Sequence, residues 1–252
     1  MQRLELVGIL NYTPDSFSDG GKYNTPEKAM ARTQEMFEQG ASIVDVGAES
    51  TRPGAKPLNA EEEWTRVGEL MELIIPGYTG SISFDTHHPE NVLRAAQLGS
   101  FILNDVTGFN SPLMIEAAAE IGCEVISSHL PIQAGTDIQA GHQNVDMQIH
   151  SEEQVLDQSL TQRDNLVAGG INKDSIILDP GIGFAKPKLG WVLLKFGALV
   201  PDHRVMVGYS RKKFLGEDRF ELPVNLKAGA IAKQHGAKYI RVHDVEGHAV
   251  LL

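Results

Sequence analysis

Eight short runs rich in apolar and β-branched residues recur along the chain, at residues 4–10, 43–46, 81–85, 101–106, 124–128, 175–178, 204–208 and 238–242. Runs this short and this continuously apolar suit a parallel sheet buried on both faces. Helix-period segments fill the intervals, at residues 26–39, 60–74, 89–98, 112–121, 152–168, 188–199 and 226–235. The first begins Thr25-Pro26-Glu27, an N-cap followed by proline at the first helical position, and stops at Gly40. The second opens on Glu61, Glu62 and Glu63, where the helix dipole favours anions, and then places Trp64, Val67, Leu70, Met71 and Ile74 at helical spacing. Strands alternating with helices, with no linker-like stretch between them, predict one α/β domain over residues 1–252. Its expected architecture is a single (β/α)8 TIM barrel rather than an open doubly wound sheet. The last strand is followed by few residues, so the eighth outer helix is expected to be short or missing. Such an uncovered flank would suit a homodimer.

Composition narrows the function. The 252 residues carry 33 Asp plus Glu against 22 Lys plus Arg, a formal charge of -11, with no basic stripe. Nucleic acid and anionic membrane surfaces are therefore poor partners, and small-molecule substrates are expected instead. The single cysteine, Cys123, lies in an apolar setting as a buried small hydrophobe and fits a reducing compartment. Glu5 interrupts any export signal and no run of 18 apolar residues occurs, so a cytoplasmic location is expected. The polar stretch 131–150 reads as a mobile loop or lid.

In such a barrel the ligand site lies where the strands end. Polar residues gather there: Asn11 and Asp15, the run Glu49-Ser50-Thr51-Arg52, Asp85, Asn104-Asp105, Asp179, Ser210-Arg211-Lys212, and Arg241 with His243. Asp85, Asn104 and Asp179 interrupt apolar strands, at a cost of several kcal/mol apiece unless partners are supplied. A carboxylate accepts two parallel N–H bonds and Asn both donates and accepts, so the trio suits a guanidine-like or aminopyrimidine edge. Internal pairing with Lys212 or Arg241 is the alternative. Arg52, Arg241 and His243, with Asn11 and Thr51 nearby, suit phosphate oxygens and a hard cation. The glycines of Asp179-Pro-Gly-Ile-Gly-Phe-Ala-Lys186 permit close backbone approach, and Phe184 can cover a planar ring.

Seven segments in order, GILNYTPDSFSDGG (8–21), DVGAESTRPGA (45–55), SFDT (83–86), ILNDVTG (102–108), LDPGIGFAK (178–186), GYSRKKF (208–214) and IRVHDV (240–245), resemble the dihydropteroate synthases of the pterin-binding barrel family. The resemblance covers nearly the whole chain. It implies a transferase of folate biosynthesis that joins 4-aminobenzoate to the methylene of a dihydropterin pyrophosphate, and a sulfonamide target. By motif position, Asp85, Asn104 and Asp179 would hold the pterin edge, Lys212 would contact the ring, and Val106 and Phe184 would line the slot. Arg241 would stack on the exposed ring face and help bind diphosphate with Thr51, Arg52 and His243. Asn11 would ligate Mg²⁺. Asp15, Phe17 and Pro53, on the first two loops, would close over the complex and shape the aminobenzoate pocket beside Ser210 and Lys212. Asp15, Lys212, Arg241 and His243 are the catalytic candidates.

The chain departs from the family pattern at Tyr12, Ala48, Ser127-Ser128-His129, Ala185 and Pro187. None removes a charge or the metal contact that the resemblance implies. Two other readings stay open: a catalytically impaired pterin-binding homologue, and a pterin-dependent methyltransferase barrel, which has no need of the NYTPDSFSDGG, ESTRPG or SRK segments.

Overall fold

Parallel pairing runs without a break from β1 (Glu5–Asn11) through β2 (Ala41–Gly47), β3 (Ile82–Asp85), β4 (Ile102–Asp105), β5 (Glu124–Ser128), β6 (Ile176–Asp179), β7 (Arg204–Gly208) and β8 (Tyr239–Val242), and β8 pairs back onto β1. The eight strands close a barrel, as the alternation of runs predicts. The structure is a computed structural model describing residues 3–13, 25–49, 57–130, 149, 151–184, 186 and 188–252. Asp15, Phe17, Thr51, Arg52, Pro53, Ala185, Pro187 and all of the expected lid except Ile149 lie outside these described residues.

Closure divides the apolar side chains into two cores. Val7, Ile43, Ile102, Ile126, Ile177, Met206 and Tyr239 fill the barrel interior, and a larger shell packs between strands and helices. The outer helices are α1 (Pro26–Glu38), α2 (Ala60–Gly77), α3 (Pro89–Ala96), α4 (Pro112–Ile121), α5 (Glu152–Ala168), α6 (Gly190–Leu193), α7 (Leu222–Gln234) and α8 (Val245–His248). Thr25 caps α1, Asn59 forms a capping box with Glu62 on α2, and Ser151 forms one with Gln154 on α5. The short α8 and a 3₁₀ turn at Ala249–Leu251 take the place of a full eighth helix. No described helix is long and apolar enough to cross a membrane.

Two helices differ from their periodicity. The segment 188–199 is broken into α6 and a 3₁₀ turn at Phe196–Ala198. Gly197 explains the break: a Cβ there would lie 2.6 Å from the carbonyl oxygen of His235, so the chain is pressed against the 235–237 backbone instead of continuing a free helix. Helix α7 starts four residues before the expected 226, on Leu222-Pro223, because proline is pre-shaped for a helix's first turn.

Glu63 on α2 ties the barrel's outer layer together. Wholly buried, its Oε2 accepts from Thr86 Oγ1 and Asn91 Nδ2, each at 2.7 Å, while Oε1 has no hydrogen-bond partner. Burial pushes its carboxyl up to about 7 against those two bonds, with the charge of Glu49 adding to the rise. Between the unfolded value of about 4.5 and about 7, the unfolded chain releases this proton and the folded chain keeps it. Stability therefore falls as pH rises through that window, by an amount on the order of 3 kcal/mol. Glu63→Gln is expected to flatten the dependence and to exceed the parent in stability at pH 8 but not at pH 5. Denaturant midpoints at the two pH values check this, and parallel curves would refute it.

Candidate active site

Parallel register brings the strand ends to one rim. Asn11 ends β1, Asp85 ends β3, Asn104 and Asp105 end β4, Asp179 ends β6, and Arg241 lies on β8. Asp85 pairs in register with Gly47 on one side and Asn104 on the other, and Gly208 pairs with Arg241.

Three of these side chains, Asp85, Asn104 and Arg241, form one network with a residue that sequence reasoning missed. Arg241 Nε donates to Asp45 Oδ2 at 2.5 Å and Nη2 donates to Asp85 Oδ2 at 3.3 Å. Asn104 Nδ2 lies 3.2 and 3.1 Å from the two carboxylate oxygens of Asp45. Asp45 is fully buried, whereas the side chains of Asp85 and Arg241 remain 19% and 22% exposed. The pair that would meet a ligand is thus reachable, and the carboxylate behind it is not. Without a ligand the Arg241 guanidinium turns inward, because a fork of N–H donors beside two poorly solvated carboxylates binds them. For Asp85 the internal pairing left open by the sequence is present. The signal that could have found Asp45 was its place inside an apolar strand run, the same signal that singled out Asp85.

Asp179 Oδ1 accepts from the backbone N–H of Gly181 at 2.7 Å. A Cβ placed on Gly208 would lie 3.7 Å from Asp179 Oδ2, 3.8 Å from Lys212 Nζ and 3.9 Å from Arg241 Cβ, so these three groups converge in front of a glycine. Burial raises the Asp179 carboxyl against the pull of Lys212. Burial likewise lowers Lys212 to about 8, with Asp179 opposing the fall. For Asp85 burial, followed by the charge of Asp45, pushes the carboxyl well up, and Arg241 draws it back. The floor holds three carboxyl groups against two cations, and Asn104 Oδ1 is buried with no hydrogen-bond partner. It is short of donors, which an N–H-rich planar ligand would bring.

Beside the floor, Val106 and Leu130 form a small apolar cluster against which Phe184 packs. Leu130 joins the two residues named from the sequence, Val106 and Phe184. Lys212 Nζ lies 5.2 Å from the Phe184 ring centre and donates to the carbonyl of Ile182. The Phe184 turn is shaped from below by a buried lysine. Lys186 Nζ donates to the carbonyls of His129, Gly181 and Phe184 at 2.8, 3.1 and 2.9 Å, and Gly181 sits at φ +59°, where a Cβ would strike the His129 carbonyl oxygen at 2.1 Å. His129 Nε2 meets Gln158 Oε1 at 2.7 Å, and burial, helped by Lys186, pushes its imidazole down to about 3. It is a neutral wall residue. On the opposite side of the rim, His243 Nδ1 lies 3.0 Å from Ser210 Oγ.

Two features away from the rim are chemically quieter. Burial pushes the Cys123 thiol up to about 12, which removes it as a nucleophile. A depression of about 580 Å³ at the opposite end of the barrel is lined by Gly80, Gly99, Ser100, Gly122, Cys123 and Glu124, whose carboxylate is already paired with Arg204.

The family described as pterin binding enzyme matches residues 7–243. The dihydropteroate synthase of Escherichia coli (strain K12) is 36% identical over 250 residues, covering 96% of this chain and 86% of that one. The chain belongs to the dihydropteroate synthase family of pterin-binding enzymes. Two solved members show the same fold. The Yersinia pestis dihydropteroate synthase, described in a sulfonamide drug complex, superposes with a TM-score of 0.86 at 32% identity, covering 98% of this chain and 91% of that one. The Xanthomonas albilineans dihydropteroate synthase with 4-aminobenzoic acid gives 0.83 at 33% identity, covering 99% and 90%. As a member of this family, the chain carries the Asp45–Asn104–Arg241–Asp85 network on the rim where a barrel enzyme binds its substrate.

Proposed function

We propose that the chain is a dihydropteroate synthase, condensing 6-hydroxymethyl-7,8-dihydropterin pyrophosphate with 4-aminobenzoate to give 7,8-dihydropteroate and pyrophosphate, with residues 1–252 acting as one pterin-binding barrel domain. The observation that carries the residue assignments is the donor-poor floor: Asp85, Asn104 Oδ1 and Asp179 present acceptors together beneath the apolar patch of Val106 and Phe184. Asp85, Asn104 and Asp179 hold the aminopyrimidine edge. Lys212 contacts the ring, and Ser210 and His243 stand on the phosphate side.

In the reaction the pterin methylene exchanges its bond to a diphosphate oxygen for one to the arylamine nitrogen, which gives up a proton. Carboxylates against the pterin edge let the ring share positive charge growing at that methylene, favouring the transition state over the ground state. Arg241, once a ligand satisfies Asp85, is released in part to face the diphosphate. Thr51, Arg52, Asp15, Phe17 and Pro53 are assigned to diphosphate binding and loop closure on the family resemblance. Asn11, partly exposed on the rim, offers a single neutral oxygen. That fits a Mg²⁺ ion, which keeps several waters and binds mainly through substrate phosphates. Bound there, the ion would neutralise charge on the leaving diphosphate.

The exposed apolar residues Trp191, Phe220, Val250 and Leu252 favour a homodimer over a lone barrel. The inert single thiol suits the cytoplasm. The deciding experiment incubates purified protein with the dihydropterin pyrophosphate, labelled 4-aminobenzoate and Mg²⁺, with and without chelator. Labelled dihydropteroate should form with magnesium and fail with chelator. Pterin binding without any product would instead identify a silent homologue.

A further inference from the structure

Histidines 87 and 88 follow β3, and Glu49 follows β2 on the neighbouring strand. Barrel closure brings the three together. Glu49 Oε2 lies 4.0 Å from His87 Nε2 and 3.9 Å from His88 Nε2, and one ligand atom from each residue lies within 4.8 Å of both others. These separations are too long for hydrogen bonds. They are somewhat wider than the roughly 3.0–3.5 Å between neighbouring ligands of an ion with bonds of about 2.0–2.2 Å. Small side-chain movements close the difference.

His88 shows how the site is prepared. Its Nε2 is buried and has no hydrogen-bond partner. The backbone of Leu58 lies close enough to the ring to interact with it. A neutral imidazole carrying its proton on Nδ1 leaves the Nε2 lone pair available to a metal. The rings of His87 and His88 lie 4.1 Å apart at 38°, so both Nε2 atoms approach the same carboxylate. The local field favours a cation: Glu49 acts on Glu63, which acts in turn on Asp85, and Glu90 acts on His88. Among the described residues Arg66 is an opposing charge, and its Nη1 donates to the carbonyl of Ala48 at 2.7 Å.

We propose that Glu49, His87 and His88 form a binding site for one first-row transition-metal dication of the Zn²⁺ class, separate from the magnesium assigned to Asn11. Two imidazoles and one carboxylate are the donor set of zinc-type sites, whereas Mg²⁺ takes oxygen ligands. The ion would tie the end of β2 to the start of α3, holding Glu49 two and three residues ahead of Thr51 and Arg52.

The test titrates Co²⁺, whose visible absorption reports nitrogen ligation, into the substrate-free full chain and repeats it with Zn²⁺ by calorimetry. One ion per chain is expected, unaffected by millimolar Mg²⁺. His88→Asn and His87→Gln should each weaken binding about tenfold or more, while Asn11→Ala leaves it unchanged. His87, 24% exposed, tolerates substitution even if His88→Asn fails to fold. Wild-type affinity in His87→Gln, loss of binding in Asn11→Ala, or displacement by Mg²⁺ would each overturn the proposal.

Discussion

Asp85→Asn is expected to lower pterin affinity by roughly two orders of magnitude or more while leaving the barrel folded. Asp85 is the one floor carboxylate that is both partly exposed, at 19% of its side chain, and bonded to Arg241. An amide in its place keeps the shape but offers one acceptor oxygen instead of two, and turns an N–H donor toward the ligand's own donors. Losing one partner of a poorly solvated, charge-assisted pair costs about 3 kcal/mol or more, and each 1.4 kcal/mol is a factor of ten in binding. Folding should suffer less, because burial and Asp45 already oppose ionisation of Asp85 in the ligand-free protein. Calorimetric titration with a pterin analogue separates the two effects. Parent-like affinity would remove Asp85 from the pterin edge.

The barrel was legible because its signal is local. Each strand run and most caps lie within a dozen residues, and α/β alternation fixes the topology once eight runs are found. The acceptors Asp85, Asn104 and Asp179 were legible for the opposite reason, as polar interruptions that no local structure needs. What escaped depends on closure. Asp45 and Arg241 lie 196 positions apart, and no spacing rule joins them. The break in the 188–199 segment follows from Gly197 touching the 235–237 backbone. Glu49 was legible as a rim residue, but His87 and His88 are ordinary loop residues until neighbouring strand ends bring them to it. Asp15, Phe17, Thr51, Arg52 and Pro53 were legible only through motif resemblance, since their roles lie in loops with no periodicity to read.

Arg241→Met should separate the structural duty of this arginine from its chemical one. Its guanidinium bonds Asp45, which is fully buried, and Asp85. Methionine fills much of the same volume but leaves both carboxyl groups without their cation. Stranding one partner of a buried ion pair typically costs about 3–5 kcal/mol, and a loss of that order is expected in denaturation at pH 8. The sign with pH follows from Asp85. Arg241 draws its carboxyl down, so removing the arginine raises the folded value further above the unfolded one. A raised carboxyl destabilises progressively as pH climbs past the unfolded value, so the deficit should be largest at pH 8 and shrink toward pH 5. Adding Asp45→Asn should recover stability, because the amide needs no counter-charge and still meets Asn104. It should not recover turnover, since the diphosphate would still face no guanidinium from β8. If Arg241→Met were as stable as the parent at pH 8, the Asp45–Arg241–Asp85 pairing would not be a principal support of the barrel rim. If the double variant regained activity, the arginine would be needed only to neutralise Asp45.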